Sequence, residues 1–205
     1  MKIAIIGANG KTGRVLVNEA VQRGNSVRAG VFRTNTFKTS DYIDVVQCDA
    51  MKLEDVVKLI RGCDAVVSLI GHIPNSPAFV QTTAISNVLS AMKAQGTTRI
   101  VSLTGTGVRM PDDTPSLIDR VLNAGIKIID GDRIRDGIAH ADVMKESDAD
   151  WTIVRVLKLT DLPMHSYTLT SGGPARVLVS RVAVADAILE LLSKHSYSKE
   201  APIVS

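Results

Sequence analysis

The feature that most constrains the fold of this chain is a regular alternation of short apolar runs with longer amphipathic stretches. The apolar runs are rich in β-branched residues and predict strands at 2–8, 26–33, 43–49, 64–71, 98–105 and 151–159. The amphipathic stretches predict helices at 14–24, 52–63, 78–95, 133–147 and 182–193. Strands that are apolar on both faces and alternate with helices form a parallel sheet with helices on both sides. We therefore predict an α/β fold, a doubly wound parallel sheet in three αβα layers.

No linker-like, repeated or low-complexity segment divides the sequence, so we predict a single domain over residues 1–205. Two stretches inside it lack a clear pattern. Residues 106–130 contain a proline-bracketed loop with a short helix at 116–123, and residues 160–180 are turn-rich with room for two short strands. We expect both to be small segments that cover the substrate. The C-terminal Pro-Ile-Val-Ser is interpreted as a further edge strand.

Composition argues against several classes of partner. The 205-residue chain is 45% hydrophobic and 22% charged, which is typical of a soluble globular protein. A net charge of +3 without basic runs argues against a nucleic acid or an anionic membrane, and 3% aromatic residues argue against base stacking. No apolar run approaches the ~20 residues of a membrane helix. Two separate cysteines, Cys48 and Cys63, predict neither a disulfide framework nor a metal site, so we expect reduced thiols in a cytoplasmic protein.

A glycine-rich loop joins the first predicted strand to the first predicted helix. It is a Gly-x-x-Gly-x-x-Gly motif in the position of a dinucleotide-binding loop, and we assign it to a cofactor site formed by Gly7, Asn9, Gly10, Lys11, Thr12 and Gly13. Gly7 allows the tight turn, Gly10 lets the backbone approach a pyrophosphate, and Gly13 allows the helix to pack closely on the strand. Amides at the start of the helix then face the phosphates, and the Thr12 hydroxyl is a further donor. A P-loop is excluded because Ile5 stands where its first glycine would be.

The end of the second predicted strand indicates which dinucleotide is bound. NAD-selective sites usually place Asp or Glu there to bind the ribose 2′-hydroxyl, whereas this chain has Phe32-Arg33-Thr34, with Arg33 ~20 residues after the third glycine. A guanidinium group can form two hydrogen bonds to a 2′-phosphate and stack on adenine. We therefore predict NADP(H), with NADPH preferred to NADH. Asp49, at the end of the third strand, is a candidate for the adenine amino group or, equally, a turn former.

Several stretches together resemble one protein superfamily. They are GANGKTGR, FRT, VVQCDAMKLEDVVKLIRGCDAVVSLIG, KESDADWTIVR and LTD. Over nearly its whole length the chain resembles the atypical short-chain dehydrogenases/reductases, and within them the NmrA-like branch with the NAD(P)H-binding flavin reductases of the biliverdin-IXβ reductase type. The glycine loop and the stretch 147–155 are the most specific parts of this resemblance. The latter resembles the SGLDWTIVRP of that branch, although Asp148-Ala149 replaces Gly-Leu and Val156, the next residue, replaces the proline.

The resemblance implies a Rossmann-like sheet with NADP(H) across the carboxyl ends of its strands. The pyrophosphate would lie on the glycine loop and the adenosine phosphate on Arg33 and Thr34. Adenine would lie beside Asp49 and Ala50. The other implied positions are Ile70, Gly71 and His72 beside the adenosine ribose and pyrophosphate, Ser102, Leu103 and Thr104 beside the nicotinamide, and Lys158 where such reductases often carry His or Lys.

The tyrosine acid–base of ordinary short-chain dehydrogenases has no counterpart here. Those enzymes use Tyr-x-x-x-Lys, but the positions four residues after Tyr42, Tyr167 and Tyr197 hold Val46, Ser171 and Ala201. Flavin-reducing relatives do not need this pair, because a flavin ring accepts hydride directly and solvent supplies the proton. We therefore favour an NADPH-dependent reductase that acts on a flavin or a similar planar acceptor. The alternatives are a non-catalytic NAD(P)-sensing regulator of the NmrA type and a sugar-nucleotide epimerase or dehydratase, which normally needs the missing tyrosine.

Two residues are candidates for catalysis near the expected hydride path. Thr104 is the best-placed hydroxyl, although the sequence does not separate it from Thr106 in the loop Thr-Gly-Thr-Gly. Lys158 is expected to steer an anionic substrate, to bind the nicotinamide ribose or to extend into solvent. No metal is expected.

A few further side chains have two interpretations each. His140 and His165 are candidates for substrate contact or for the surface, whereas His195 is expected at the surface. Met110 and Met164 are expected to pack, or to form an adaptable lid over a planar ligand. The sequence is compatible with a monomer or a homodimer.

Overall fold

The computed structural model describes residues 1–33 and 35–205, and the prediction for Thr34 lies outside them. Within these residues the chain forms ten strands and six helices. The strands are β1 (Lys2–Ile6), β2 (Ser26–Val31), β3 (Ile43–Gln47), β4 (Ala65–Ser68), β5 (Arg99–Gly105), β6 (Asp150–Val156), β7 (Leu159–Thr160), β8 (Leu169–Thr170), β9 (Val179–Ser180) and β10 (Ile203–Val204). The helices are α1 (Lys11–Gln22), α2 (Leu53–Ile60), α3 (Val80–Gln95), α4 (Leu117–Ile129), α5 (Gly131–Lys145) and α6 (Arg181–Lys194). The strands and helices predicted from the alternating pattern are all present, with ends shifted by at most three residues.

Eight strands form one sheet in the order β3-β2-β1-β4-β5-β6-β10-β8. Strands β1 to β6 are parallel, with Ile3 of β1 paired to Val27 of β2 and to Ala65 of β4. Strand β10 continues the parallel direction beside β6, and β8 lies antiparallel to β10. The C-terminal strand is therefore not the edge strand that the sequence predicted, because β8 covers its outer side. The chain order reverses between β1 and β4, which is where doubly wound sheets bind their ligands.

Alternate residues of the central strands supply two separate cores, one on each face of the sheet. Ile3 and Ile5 of β1 lie in a cluster with α1 and α6, whereas Ala4 and Ile6 lie in a cluster with α2, α3 and α5. All four side chains are buried. The predicted three-layer αβα arrangement, with strands that are apolar on both faces, is confirmed.

Helix α4 is longer than the sequence predicts. It spans 13 residues rather than 116–123, and it begins after Ser116, whose hydroxyl accepts a hydrogen bond from the Asp119 amide at 3.2 Å. Both prolines of this stretch precede the helix, so only its first part is a loop. The apolar side chains of α4 that remain exposed are Leu117, Ile118, Val121, Leu122, Ile128 and Ile129.

The turn-rich segment 160–180 contains the two expected short strands, β8 and β9. Strand β9 pairs in parallel with β7 in a second, two-stranded sheet. Cys48 and Cys63 are free and buried, and burial raises the pKa of their thiols to about 12 and about 11, respectively. In the part of the chain that the structure describes, no helix combines the length and the apolar character needed to cross a bilayer.

Candidate functional site

A cleft of about 650 Å³ runs along the carboxyl ends of β1, β4, β5 and β6. Its glycine-loop end is formed by residues 7–13, and its far end by the residues that follow β5 and β6 together with α4 and the starts of α5 and α6. The predicted site residues that line the cleft are Gly7, Gly10, Lys11, Thr12, Gly13, Ile70, Gly71, His72, Leu103, Thr104 and Lys158. The others that the structure describes, Asn9, Arg33, Asp49, Ala50 and Ser102, lie outside this lining.

The glycine-loop end presents backbone rather than side chains. Gly7 has a φ of +79°, and Gly10, which has no side chain to cap the helix, directly precedes α1. A Cβ on Gly13 would lie 2.3 Å from the Gly7 carbonyl oxygen, so α1 and the end of β1 approach too closely for any other residue. The unpaired amides at the start of α1, together with the Thr12 side chain in the cleft lining, fit a pyrophosphate.

The loop after β2 lies against the glycine loop. The Thr36 hydroxyl donates a hydrogen bond to the side-chain oxygen of Asn9. Arg33 is exposed, with its guanidinium carbon 5.1 Å from the centre of the Phe32 ring. Arg33 therefore lies in solvent and outside the cleft lining, on the loop that contacts the glycine loop through Thr36.

Asp49 and Ala50 form the turn between β3 and α2. The Asp49 carboxylate accepts a hydrogen bond from the Met51 amide at 3.0 Å, and the Ala50 carbonyl accepts one from the Asn87 side chain at 3.0 Å. The structure thus contains the turn that the sequence allowed for Asp49. Contact of these residues with adenine stays a prediction.

His72, after β4, is held by a buried aspartate that the sequence prediction missed. Its Nε2 lies 2.8 Å from Oδ2 of Asp136, which is fully buried. The same carboxylate accepts hydrogen bonds from the amides of Gln81 at 2.8 Å and Thr82 at 2.9 Å, so it caps the start of α3. His72 therefore lines the cleft with one ring nitrogen fixed. The available signal was the position of Asp136 on the same helical face as His140.

Ser102 does not face the cleft. Its hydroxyl lies 2.8 Å from Nε2 of His140, and both side chains are buried. Burial lowers the pKa of His140 to about 4, against the opposing effect of Asp136, so the imidazole is neutral at pH 7. The predicted place of Ser102 beside the nicotinamide is corrected, because this residue precedes Thr104 along β5 and is covered by α5. His140 is likewise neither at the surface nor in the cleft.

Thr104, near the end of β5, and Thr106, just after it, have different roles. Thr106 is buried, and its hydroxyl donates to Asp119 at 2.9 Å and accepts from Asn123 at 3.1 Å. Asp119, also fully buried, binds Arg109 at 2.6 Å, so this network fixes α4 to the preceding loop. Thr104 lines the cleft, and its hydroxyl makes no hydrogen bond with the other residues that the structure describes. Thr104 is therefore the hydroxyl available to a ligand.

A buried arginine ties together the segments around the far end. Arg155 of β6 is fully buried and forms a two-point ion pair with Asp113, with nitrogen–oxygen distances of 2.5 and 2.8 Å. Its other hydrogen bonds go to the carbonyls of Val108 at 2.9 Å, Ser171 at 3.2 Å and Ala201 at 2.8 Å. All five guanidinium N–H groups are thus used, and segments 106–130 and 160–180 are joined.

The remaining candidate side chains differ in whether they line the cleft. Lys158 is exposed and lines the cleft. His165 and His195 are exposed, the first bound to Asp186 at 2.8 Å, and neither lines the cleft. Met110 packs on the core, as one of its two interpretations predicted, whereas Met164 is exposed.

Comparison with known proteins agrees with this geometry. The sequence matches the NAD(P)H-binding family over residues 7–195. An uncharacterised chloroplastic protein of Arabidopsis thaliana is 26% identical over 223 residues, covering 100% of this chain and 76% of that protein. A wide-type short-chain dehydrogenase/reductase of Veillonella parvula, solved with NADP, has a TM-score of 0.82 at 15% identity, covering 100% of this chain and 94% of that one. A candidate NADH-flavin reductase of Streptococcus pneumoniae has a TM-score of 0.77 at 20% identity, covering 100% and 98%.

The fold and the cleft define a Rossmann-like domain with a glycine loop at the switch point of its sheet. The chain belongs to the NAD(P)H-binding family. The NAD(P)H-binding part of the resemblance is confirmed, and the cofactor class is a nicotinamide dinucleotide.

Proposed function

We propose that this protein is an NADPH-dependent reductase that transfers hydride to a flavin or a similar planar acceptor. The observation that carries the proposal is the cleft, which joins the glycine loop to a far end rich in aliphatic side chains, while no tyrosine is among its lining residues that the structure describes. A bound NADPH supplies a hydride, the flavin ring accepts it, and solvent supplies a proton, so that NADP⁺ and reduced flavin are the products. The protein then has to position two ligands and exclude competing reactions.

Thr104 and Lys158 are the residues that we place in contact with the reacting ligands. Thr104, near the end of β5, and Lys158, just after the neighbouring strand β6, both line the cleft. An added Cβ on Gly137 would lie 3.2 Å from the Thr104 hydroxyl oxygen, so the glycine in α5 keeps the space around this hydroxyl open. We assign Thr104 to the nicotinamide side of the cleft.

The preference for NADPH rests on Arg33. No acidic residue stands at the end of β2, and the guanidinium is exposed on the loop whose Thr36 contacts Asn9 of the glycine loop. Arg33→Ala is expected to weaken NADPH binding by about 10-fold or more and NADH binding much less, because a charge-assisted contact to the 2′-phosphate is lost. Fluorescence titration of both dinucleotides measures this difference. Lys93→Ala is the matched control. Lys93 is an exposed cation in the last turn of α3, which leads into the amino end of β5, away from the carboxyl ends of the strands. Equal weakening of both dinucleotides by Arg33→Ala would remove the argument for NADPH.

The activity is tested by loss of nicotinamide absorbance when the purified protein receives NADPH together with FMN, riboflavin or a quinone. Turnover above the rate of the uncatalysed mixture is expected with a flavin. Thr104→Val should lower the turnover number and leave NADPH affinity within about 3-fold, because one uncharged hydrogen bond is removed. Tight binding of NADPH without turnover of any acceptor would overturn the reductase proposal.

A second function, a non-catalytic NAD(P)-sensing regulator, is favoured by one observation. Helix α4 exposes a continuous apolar face, and exposed faces of this kind are typical of surfaces that bind another protein. The activity assay separates the two proposals, since a sensor binds the dinucleotide without reducing an acceptor.

The same proposal includes a cellular compartment, a partner and an oligomeric state. The buried, unpaired cysteines support a reducing compartment, for which we propose the cytoplasm. The proposed partner is a small planar molecule. Because the cleft is formed within one chain, the proposed activity is compatible with a monomer or a homodimer.

A further inference from the structure

The cleft carries charge of one sign. Its lining contains Lys11, Arg133, Lys158 and Arg181, and no Asp or Glu among the residues that the structure describes. The whole chain is nearly balanced, with 24 Lys and Arg against 21 Asp and Glu. A cationic lining in a partly apolar cleft concentrates positive potential there and attracts anions.

The dinucleotide accounts for only part of this charge. Lys11 belongs to the glycine loop, beside the pyrophosphate position. The other three cations lie at the far end: Arg133 near the start of α5, Lys158 after β6 and Arg181 at the start of α6. These three cations thus line the same cleft from distant parts of the sequence, outside the glycine loop.

Arg181 offers an unused donor. Its side chain is only 15% exposed, and one guanidinium nitrogen binds the exposed Asp161 at 2.6 Å. Its Nε is buried and has no hydrogen-bond partner among the described residues. Helix α6 begins at Arg181 and carries no acidic residue in its first turn, so the positive end of the helix dipole adds to the same region. An anion placed here gains hydrogen bonds that the protein does not supply.

The two other cations are weakly engaged. Lys158 is exposed and forms no ion pair with the residues that the structure describes. Arg133 is 55% exposed, and its pair with Asp130, at 3.1 Å, joins neighbouring positions on the surface. Exposed pairs of this kind contribute little free energy, so a ligand can compete for Arg133.

We propose that the far end binds an anionic group of the hydride acceptor, with Lys158 and Arg181 as its contacts and a phosphate ester as its chemistry. The inference rests on the proposed reductase function. Among flavins it makes FMN the preferred acceptor over riboflavin, which has the same ring without the phosphate. Since hydride passes to the shared ring, anion recognition and chemistry can be measured separately.

Equilibrium binding of FMN and riboflavin to the NADP⁺-loaded protein, followed by quenching of flavin fluorescence, tests the inference. FMN is expected to bind about 10-fold more tightly at low ionic strength, and the ratio should shrink as salt is added. Lys158→Met and Arg181→Gln should each reduce this ratio by several-fold through weaker FMN binding, and Arg181→Gln should leave the NADPH affinity unchanged. Lys93→Met, the remote control, should change none of these affinities. Circular dichroism confirms the fold of each variant, and the salt series on the unaltered protein needs no variant.

The outcomes separate the two proposals. Equal affinity for FMN and riboflavin, failure to bind either, or a salt-independent ratio would overturn the anionic-group inference. A Lys158→Met protein that loses NADPH affinity instead would place this lysine on the nicotinamide ribose and overturn its assignment. Selective binding of FMN without any NADPH oxidation would support the anion site and contradict the reductase proposal. Turnover of both flavins with equal KM would support the reductase proposal and contradict the anion site.

Discussion

The two ends of the cleft are built in different ways. At the glycine-loop end, one continuous stretch of seven residues presents backbone amides, and its geometry depends on missing side chains at Gly7 and Gly13. At the far end, walls from separate parts of the chain are held in place by buried charges, chiefly Arg155 with Asp113 and Asp119 with Arg109. The first end is therefore sensitive to added volume, and the second to lost charge.

Adding one methyl group at the glycine-loop end is expected to have the largest effect. A Cβ on Gly13 would lie 2.3 Å from the Gly7 oxygen and 2.4 Å from the Ala8 oxygen, and these are backbone atoms that cannot rotate away. Gly13→Ala should reduce the free energy of unfolding by about 5 kcal/mol and abolish NADPH binding, because α1 must move off β1. Thermal unfolding and dinucleotide titration measure the two effects.

The matched control is Gly125→Ala in α4, where an added Cβ meets nothing within 4 Å. This change should stabilise the protein by up to about 1 kcal/mol, the difference in helix propensity. A Gly13→Ala protein with the unfolding midpoint of the unaltered chain would contradict the close packing that we assign to this loop.

Removing a charge tests the far end, with a somewhat smaller effect. Arg155→Met leaves the Asp113 carboxylate, only 4% exposed, without its counter-ion. The expected loss is about 4 kcal/mol, and chemical denaturation measures it. NADPH affinity of the folded fraction should change little, since the glycine loop does not contact this pair.

Arg135→Met is the control, because Arg135 pairs with Asp132 at positions that are 71% and 52% exposed. Its effect should stay below about 1 kcal/mol. The double variant Arg155→Met with Asp113→Leu should recover part of the loss, as it leaves no unpaired charge. Equal, small losses for both single arginine variants would mean that the buried pair does not hold the far end.

Stability at acid pH adds a buried titratable group to this comparison, because His140 of α5 contacts Ser102 of β5, the strand that leads to the far end. Its pKa is lowered by burial to about 4 in the folded protein, below the ordinary value of 6.5. Between these values the unfolded chain binds the proton and the folded one does not, so stability falls as the pH falls from 6.5 to 4. The expected loss is on the order of 3 kcal/mol.

Denaturation midpoints measured from pH 7 to pH 4 test this expectation. His140→Gln should lose most of the slope in that range, whereas His195→Gln, which alters an exposed histidine, should keep it. An unchanged slope in the His140→Gln protein would show that another group causes the acid sensitivity.

The same contrast explains what could be predicted from the sequence. The order of strands and helices and the glycine loop follow from local patterns, since a buried strand, a turn and an amphipathic helix each have their own spacing. Gly7, Thr12 and Thr104 were placed in the cleft because they follow strands of a parallel sheet, whose carboxyl ends share one edge.

Residues that act through the tertiary structure could not be placed in this way. Arg155 and Asp113 are charged residues like many on the surface, and only the folded chain shows that they are buried together. The family resemblance implied that Ser102 lies beside the nicotinamide, but its cover by α5 depends on a contact with His140, 38 residues away, that no local pattern predicts. Helix α4 was predicted only over 116–123, because the segment 106–130 lacks a clear pattern, whereas the structure extends it over Leu117–Ile129.

The aspartate that caps α3 has a consequence for the order of folding. Asp136 lies 55 residues from Gln81 and 54 from Thr82, so the first turn of α3 obtains its hydrogen-bond acceptor only when α5 has docked. The remainder of α3 can form earlier, because its own carbonyls satisfy its later amides. Slow hydrogen exchange at the amides of Gln81 and Thr82 will therefore report the docking of α5, and its loss will mark the opening of that contact rather than fraying of α3.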